Sequence, residues 1–224
     1  MYFRQESSIP KITKEIIILN IVIYILTQWK GDWMYEQFSL FYPTSPFFRF
    51  WQPLTYMFMH GNFWHIFLNM YTLLIFGVAL ERVWGPKKFL FYYIFTGLGA
   101  AALHIGIQFC EAQHFSNLIA DGSLQAYEKL NILYRTPTVG ASGAVYGLLL
   151  GYCMLYPDAT LHFIFPPISV RAWVAVVIFA AIELLSGIFG GAGVAHFAHL
   201  GGMIFGLILI FYWKRRHVLY EYRE

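Results

Sequence analysis

The stretch TVGASGAVYGLLLGYCMLY, residues 138–156, is apolar enough for a membrane yet too short to cross one. From Ser142 to Tyr156 there are 15 residues, about 22 Å of helix at roughly 1.5 Å per residue. The hydrocarbon core of a bilayer is about 30 Å thick. A helix of this length that ends near one face must begin several ångströms beneath the other. The chain that enters it then dips into the membrane without helical geometry. Such backbone survives only when it is buried in protein or lines a water-filled cavity. Ser142 is therefore expected at a helix N-terminus, at membrane depth and beside water. Free N–H groups at a helix start stabilise an oxyanion, which suits a nucleophilic hydroxyl. The same hydroxyl could serve only to cap the helix, and this segment alone leaves both readings open.

The rest of the chain supplies companions for this helix. The 224 residues are 58% hydrophobic and 20% aromatic, with 12% charged side chains. A soluble domain carries about 25% charged residues, so lipid replaces water over much of this surface. Six apolar runs are candidate spans, at about 13–30, 53–80, 88–110, 142–156, 170–188 and 194–213. This predicts an all-α, polytopic membrane protein, a six-transmembrane-helix bundle with a short fourth helix. The length fits one domain, 13–213, between a short N-terminal segment, 1–12, and a basic C-terminal tail, 214–224. No internal repeat is evident, which argues against an inverted-repeat transporter. The net charge of +3 is too small to imply nucleic acid, and Cys110 and Cys153 form neither a disulfide framework nor a metal spacing. No A-x-A-like cleavage site follows the first apolar run, which is read as a retained span.

Lysine and arginine predict the orientation. Arg4, Lys11, Lys14, Arg82, Lys87, Lys88, Arg171, Lys214, Arg215, Arg216 and Arg223 fall on the side of the termini, eleven in all. Lys30, Arg49, Lys129 and Arg135 are the four on the other. Both termini are thus expected in the cytoplasm. The segment 31–52, GDWMYEQFSLFYPTSPFFRFWQ, is too aromatic for a plain loop and is expected to be structured and half-immersed.

The sixth run reads GVAHFAHLGGMIFGLILIFYW. His199, Gly202 and Gly206 share one helix face, a small-residue stripe with a base at one end. Gly143, Gly147 and Gly151 make a matching stripe below Ser142. Packed together, the two stripes would bring His199 to Ser142, and serine needs an adjacent base to become a nucleophile. His196 competes for the role but has no glycine stripe in phase. A metal held by His196 and His199 is disfavoured because Asp, Glu and Cys are absent nearby in sequence. Tyr146, one turn below Ser142, could stack on the imidazole or simply pack. Glu183 lies mid-span in the fifth run and is not promoted, so the chemistry reads as a Ser–His dyad rather than a triad. In the second run, His65 and Asn69 are four apart and point the same way. They fit oxyanion donors or an interhelical hydrogen bond. His60 reads as structural, and His104 as structural or cavity-lining.

Three pieces of the chain together resemble the rhomboid intramembrane proteases: HGNFWHIFLN at 60–69, GASGAVYG at 140–147 and HLGGMIFG at 199–206. Glu81-Arg82 also looks like the motif of that family after its second helix. The resemblance implies Ser142 as nucleophile and His199 as general base. It implies Asn69 and His65 as oxyanion residues with the Ser142 N–H, Gly140 as the first glycine of the serine motif, and Tyr146 beside the histidine. It makes 31–52 a membrane-embedded first loop, and the fifth helix with the cap after it the parts that move to admit substrate. The extra polar residues of 111–138 depart from the pattern. The implied activity is that of a serine endopeptidase cutting peptide bonds in or near the transmembrane segments of membrane-protein substrates. It needs no cofactor and no metal, and its partners are those substrates and lipid. The expected location is a bacterial inner membrane. The rivals are a catalytically inactive rhomboid-like membrane chaperone or dislocation factor, which predicts a missing serine or histidine, and a small transporter, which predicts midplane charges.

Overall fold

The computed structural model describes residues 8–162, 167–189 and 194–219. Nine α-helices are described: α1 Lys11–Lys30, α2 Asp32–Phe38, α3 Gln52–Thr55, α4 Phe63–Thr72, α5 Val78–Ala120, α6 Leu124–Arg135, α7 Ser142–Leu155, α8 Ala172–Phe189 and α9 Val194–Arg215. Between α7 and α8 lie two short strands, β1 Thr160–His162 and β2 Ser169–Arg171, paired antiparallel with Leu161 opposite Val170. The fold is thus predominantly helical rather than strictly all-α. Pro157 follows Tyr156 and forbids further helix, and the connection folds back as this ribbon.

Among the described residues, four runs are long and apolar enough to cross a membrane: Lys11–Lys30, Phe63–Ala120, Ala172–Phe189 and His196–Arg215. The second of these holds 58 residues. It passes through a π-helical turn at Leu73–Gly77 and breaks at Gly85, whose φ of 75° leaves the helical region. Pro86 follows and has no N–H to continue the ladder. The run starts later than its hydropathy suggests. Residues 53–58 belong to α3 and a 3₁₀ turn, and α4 begins at Phe63 because the Asn62 carboxamide accepts the His65 N–H at 2.9 Å.

The run also ends later. The expected polar loop 111–138 is a helical hairpin: α5 continues to Ala120, Gly122 turns the chain at φ 90°, and Ser123 caps α6. Ala126 and Leu133 of α6 are buried, and Leu133 packs with Ala112 and Tyr42. The amphipathic pattern of α6 sets its apolar face on the helix before it, which a count of polar residues does not reveal. Segment 31–52 is structured as expected. Gln52 donates to the Glu36 carbonyl at 3.1 Å and the Phe47 carbonyl at 2.9 Å, and the Trp51 indole donates to Gln37 at 2.7 Å.

Apolar side chains face outward on the long helices, among them Ile25, Leu68, Phe91, Val177, Leu185 and Ile208. A surface of this kind demands lipid. The core is built where α5, α7 and α9 meet, around Trp84, Tyr92, Leu148 and Ile210. Small residues let those helices close. A Cβ on Gly147 would press into Thr96, and one on Gly151 would stand 3.0 Å from Trp84 and 3.2 Å from the Tyr92 hydroxyl. Most of the α7 stripe therefore docks on α5, not on α9 as its spacing suggested. α7 and α9 also pack closely against each other, most tightly where a Cβ on Gly202 would overlap the Gly143 carbonyl.

α1 is tied down differently. Pro10 offers its N-terminus no side-chain cap. Glu81, buried, accepts the N–H of Ile12 at 3.0 Å and of Thr13 at 2.7 Å, and the Thr13 hydroxyl at 2.8 Å. A carboxylate from a distant helix thus satisfies the orphan donors of a helix start, where negative charge is favoured.

Candidate active site

The entry to α7 is fixed before Ser142 is reached. Leu40 and Thr138 exchange backbone hydrogen bonds of 2.9 and 2.8 Å, and the Gly140 N–H donates to the Tyr56 carbonyl at 3.0 Å. The Thr138 hydroxyl pairs with His104 Nε2 at 2.7 Å, which gives His104 a structural role. Gly140 then takes φ 132°, a value only glycine adopts readily. The first backbone bond of α7 runs from the Val145 N–H to Ala141 at 3.0 Å, so the Ser142 N–H stands before the ladder begins.

Ser142 Oγ and His199 Nε2 are 2.7 Å apart. The Tyr146 ring lies on the imidazole with centroids 4.4 Å apart and planes at 3°. The Gly143–Gly202 approach is what permits this, because the two backbones touch one turn from the pair. Beside Ser142 a cavity of about 170 Å³ is lined by Tyr56, His65, Thr138, Val139, Gly140, Gly143, Ala198 and His199. His65 crowds Gly140: a Cβ there would stand 2.8 Å from His65 Nε2. His65 Nδ1 faces the Gly61 N–H at 3.5 Å, which favours the tautomer with its proton on Nε2, towards the cavity. His60 is fully buried and meets His65 edge to face at 5.0 Å.

Ser142, His199, Tyr146, Gly140 and His65 are thus brought together. Asn69 stands apart. It is buried, its amide donates to the His65 carbonyl one turn back at 2.8 Å, and it is not among the cavity-lining residues. His196, the competing base, does not reach the serine. Its Nδ1 is 2.6 Å from Glu183 Oε2.

That glutamate corrects the expectation that no acid lies near the pair. Glu183 is buried in α8 and its carboxylate reaches three side chains. Oε2 meets His196. Oε1 accepts the Tyr146 hydroxyl and stands 3.0 Å from His199 Nδ1, a close contact rather than a well-directed hydrogen bond. Glu183, His196 and His199 also have potential ligand atoms within 4.8 Å of one another, a spacing open to a metal ion. The acid missing from the local sequence comes from another helix. One signal did mark it: an ionisable side chain inside an apolar span is costly and so functional by default. The segment after α8, expected to move with it, falls at 190–193, outside the described residues.

A family description of the rhomboid domain matches residues 48–216. Among curated proteins, the chain is similar to the rhomboid protease AarA of Providencia stuartii, 28% identical over 210 residues, which cover 88% of this chain and 70% of that one. It is 26% identical over 212 residues to the mitochondrial presenilin-associated rhomboid-like protein of Rattus norvegicus, covering 91% of this chain but 50% of the relative. It is 29% identical over 161 residues to RHOMBOID-like protein 4 of Arabidopsis thaliana, covering 72% and 33%.

Proposed function

The chain belongs to the rhomboid family, and on that premise we propose that it is an intramembrane serine endopeptidase that hydrolyses peptide bonds in or near the transmembrane segments of other membrane proteins. The observation that carries this reading is the 2.7 Å contact between Ser142 Oγ and His199 Nε2 at the edge of a cavity. His199 takes the Ser142 proton as Oγ bonds to the carbonyl carbon of the scissile peptide. The negative charge on the carbonyl oxygen is held by the Ser142 N–H and His65 Nε2–H, with the second N–H of the Asn69 amide, the one not given to the His65 carbonyl, as a further donor. Collapse of this tetrahedral species breaks the C–N bond, and His199 hands its proton to the leaving amine. Water then cleaves the acyl-enzyme by the same route.

The depth of the site selects the substrate. α7 has 14 residues, about 21 Å at 1.5 Å per residue, so Ser142 lies beneath the surface of a bilayer about 30 Å thick in its core. Only a segment that unwinds there exposes a carbonyl, which favours single-span substrates with small or helix-weakening residues. With the long run divided at Gly85 and α7 counted, the chain crosses six times. Both termini then lie on the lysine- and arginine-rich, cytoplasmic side of a bacterial inner membrane.

The test is cleavage of a single-span reporter by the full chain in liposomes. Ser142→Ala is expected to lower kcat by at least roughly 10³-fold, and His199→Ala is expected to abolish fluorophosphonate labelling of Ser142. Undiminished cleavage by Ser142→Ala would overturn the assignment.

A further inference from the structure

Resting on that reading, we propose that Glu183 is a positioning residue for His199, so that the Ser–His pair is completed by a carboxylate carried on a neighbouring helix. Three observations converge. A hydroxyl that donates to His199 Nε2 requires the ring proton on Nδ1. The atom facing Nδ1 is Glu183 Oε1, at 3.0 Å. The same oxygen accepts the hydroxyl of Tyr146, whose ring covers the imidazole face at 4.4 Å. One carboxylate oxygen therefore sets the edge of the imidazole directly and its face through Tyr146.

The charge matters as well as the geometry. When His199 takes the serine proton it becomes an imidazolium, half-buried at the edge of the cavity. A carboxylate at Nδ1 stabilises that cation as it forms, and keeps the ring in the tautomer that can accept again. A buried carboxylate is itself costly unless it is paired and hydrogen-bonded. Glu183 meets that condition only through this cluster: Tyr146 and His199 on Oε1, and His196 on Oε2.

A purely structural strap between α8 and α9 needs only the Glu183–His196 bond. It does not require Oε1 to converge on the two side chains that hold the base. The cluster could also offer ligands to a cation, but a His199 ring that accepts from Ser142 at Nε2 carries its proton on Nδ1, and a protonated nitrogen cannot ligate.

The experiment uses the full chain in liposomes with the single-span reporter and four variants. Ser142→Ala anchors the comparison. Glu183→Gln, which keeps shape and removes charge, is expected to lower kcat by about 10²-fold with KM changed less than about twofold. That is less than the roughly 10⁴-fold seen when a triad carboxylate becomes an amide, because the contact to Nδ1 is slanted. Glu183→Asp restores the charge and is expected to recover part of the loss. His196→Gln removes the strap alone and is expected to stay within about threefold of the parent protein. Nitrogen-15 spectra of the unsubstituted chain, with the His199 signal identified by its loss in His199→Ala, are expected to show the proton on Nδ1. This readout stands even if Glu183→Gln does not fold. The proposal is overturned by a proton resident on Nε2, by an unchanged kcat in Glu183→Gln, or by an equal loss in His196→Gln. An active Ser142→Ala would instead remove the serine protease reading itself. An inactive Ser142→Ala beside a fully active Glu183→Gln removes only the role of Glu183.

Discussion

A methyl group on Gly140 would meet His65 Nε2 at 2.8 Å and would sit on a backbone at φ 132°. Both penalties fall on the residue that leads the chain into Ser142. Gly140→Ala is therefore expected to lower kcat by about 10²-fold or more, as loss of an oxyanion donor does, while the helices stay assembled. Reporter cleavage measured beside a thermal melt separates the two effects. Gly202→Ala should act otherwise. Its Cβ would collide with the Gly143 carbonyl, so α9 must withdraw and carry His199 from Ser142. Activity and melting temperature are expected to fall together. At this scale the sequence was informative where chemistry is local. Ser142, His199 and Tyr146 could be placed because glycine spacing and helix phase set which face each occupies. Asn69 shared a face with His65 as the spacing required, but a carbonyl of its own helix claimed its amide. The partners of Glu183 were hidden because they depend on how α8 is rotated against α9, which neither helix encodes alone.

α1 is held by buried polar side chains more than by an apolar face. α1 exposes Ile18, Leu19, Val22 and Ile25 outward, and its buried residues are Thr13, Ile16, Asn20 and Thr27. Glu81 anchors its first turn through three hydrogen bonds. Glu81→Ala would leave those donors buried and unmatched, at about 1–3 kcal/mol for each unsatisfied group. The variant is expected to lose on the order of 3 kcal/mol of stability in a detergent-micelle denaturation. The reporter kcat of the folded fraction should change little, because Glu81 touches nothing in the site. Hydropathy located α1 but could not reveal this anchor, since a carboxylate 68 residues away in sequence supplies it. The α5–α6 hairpin was missed for a related reason. Its helices continue through polar residues once Ser123 and Gly122 provide a cap and a turn.

Across the whole molecule the helices differ in how firmly they are held. α5, α7 and α9 share the core, whereas the buried residues of α8 are Ala172, Ala175, Val176 and Glu183. The first three lie at its start. Beyond Val176 the one buried side chain of this helix is the carboxylate that faces His199. Its outer half also rests Phe179 and Ala180 on the core, and Glu183 is the polar latch that joins it to His199. Spin labels on α7 and near the end of α8 should give a narrow distance distribution in the parent chain and a broader, longer one in Glu183→Ala. An unchanged distribution would refute the latch. Any swing that opens a doorway beside this helix also takes the counter-charge away from His199. On the proposed reading, such a site is disarmed while ajar, and regains its cutting power only after the guest is inside and the door has swung to.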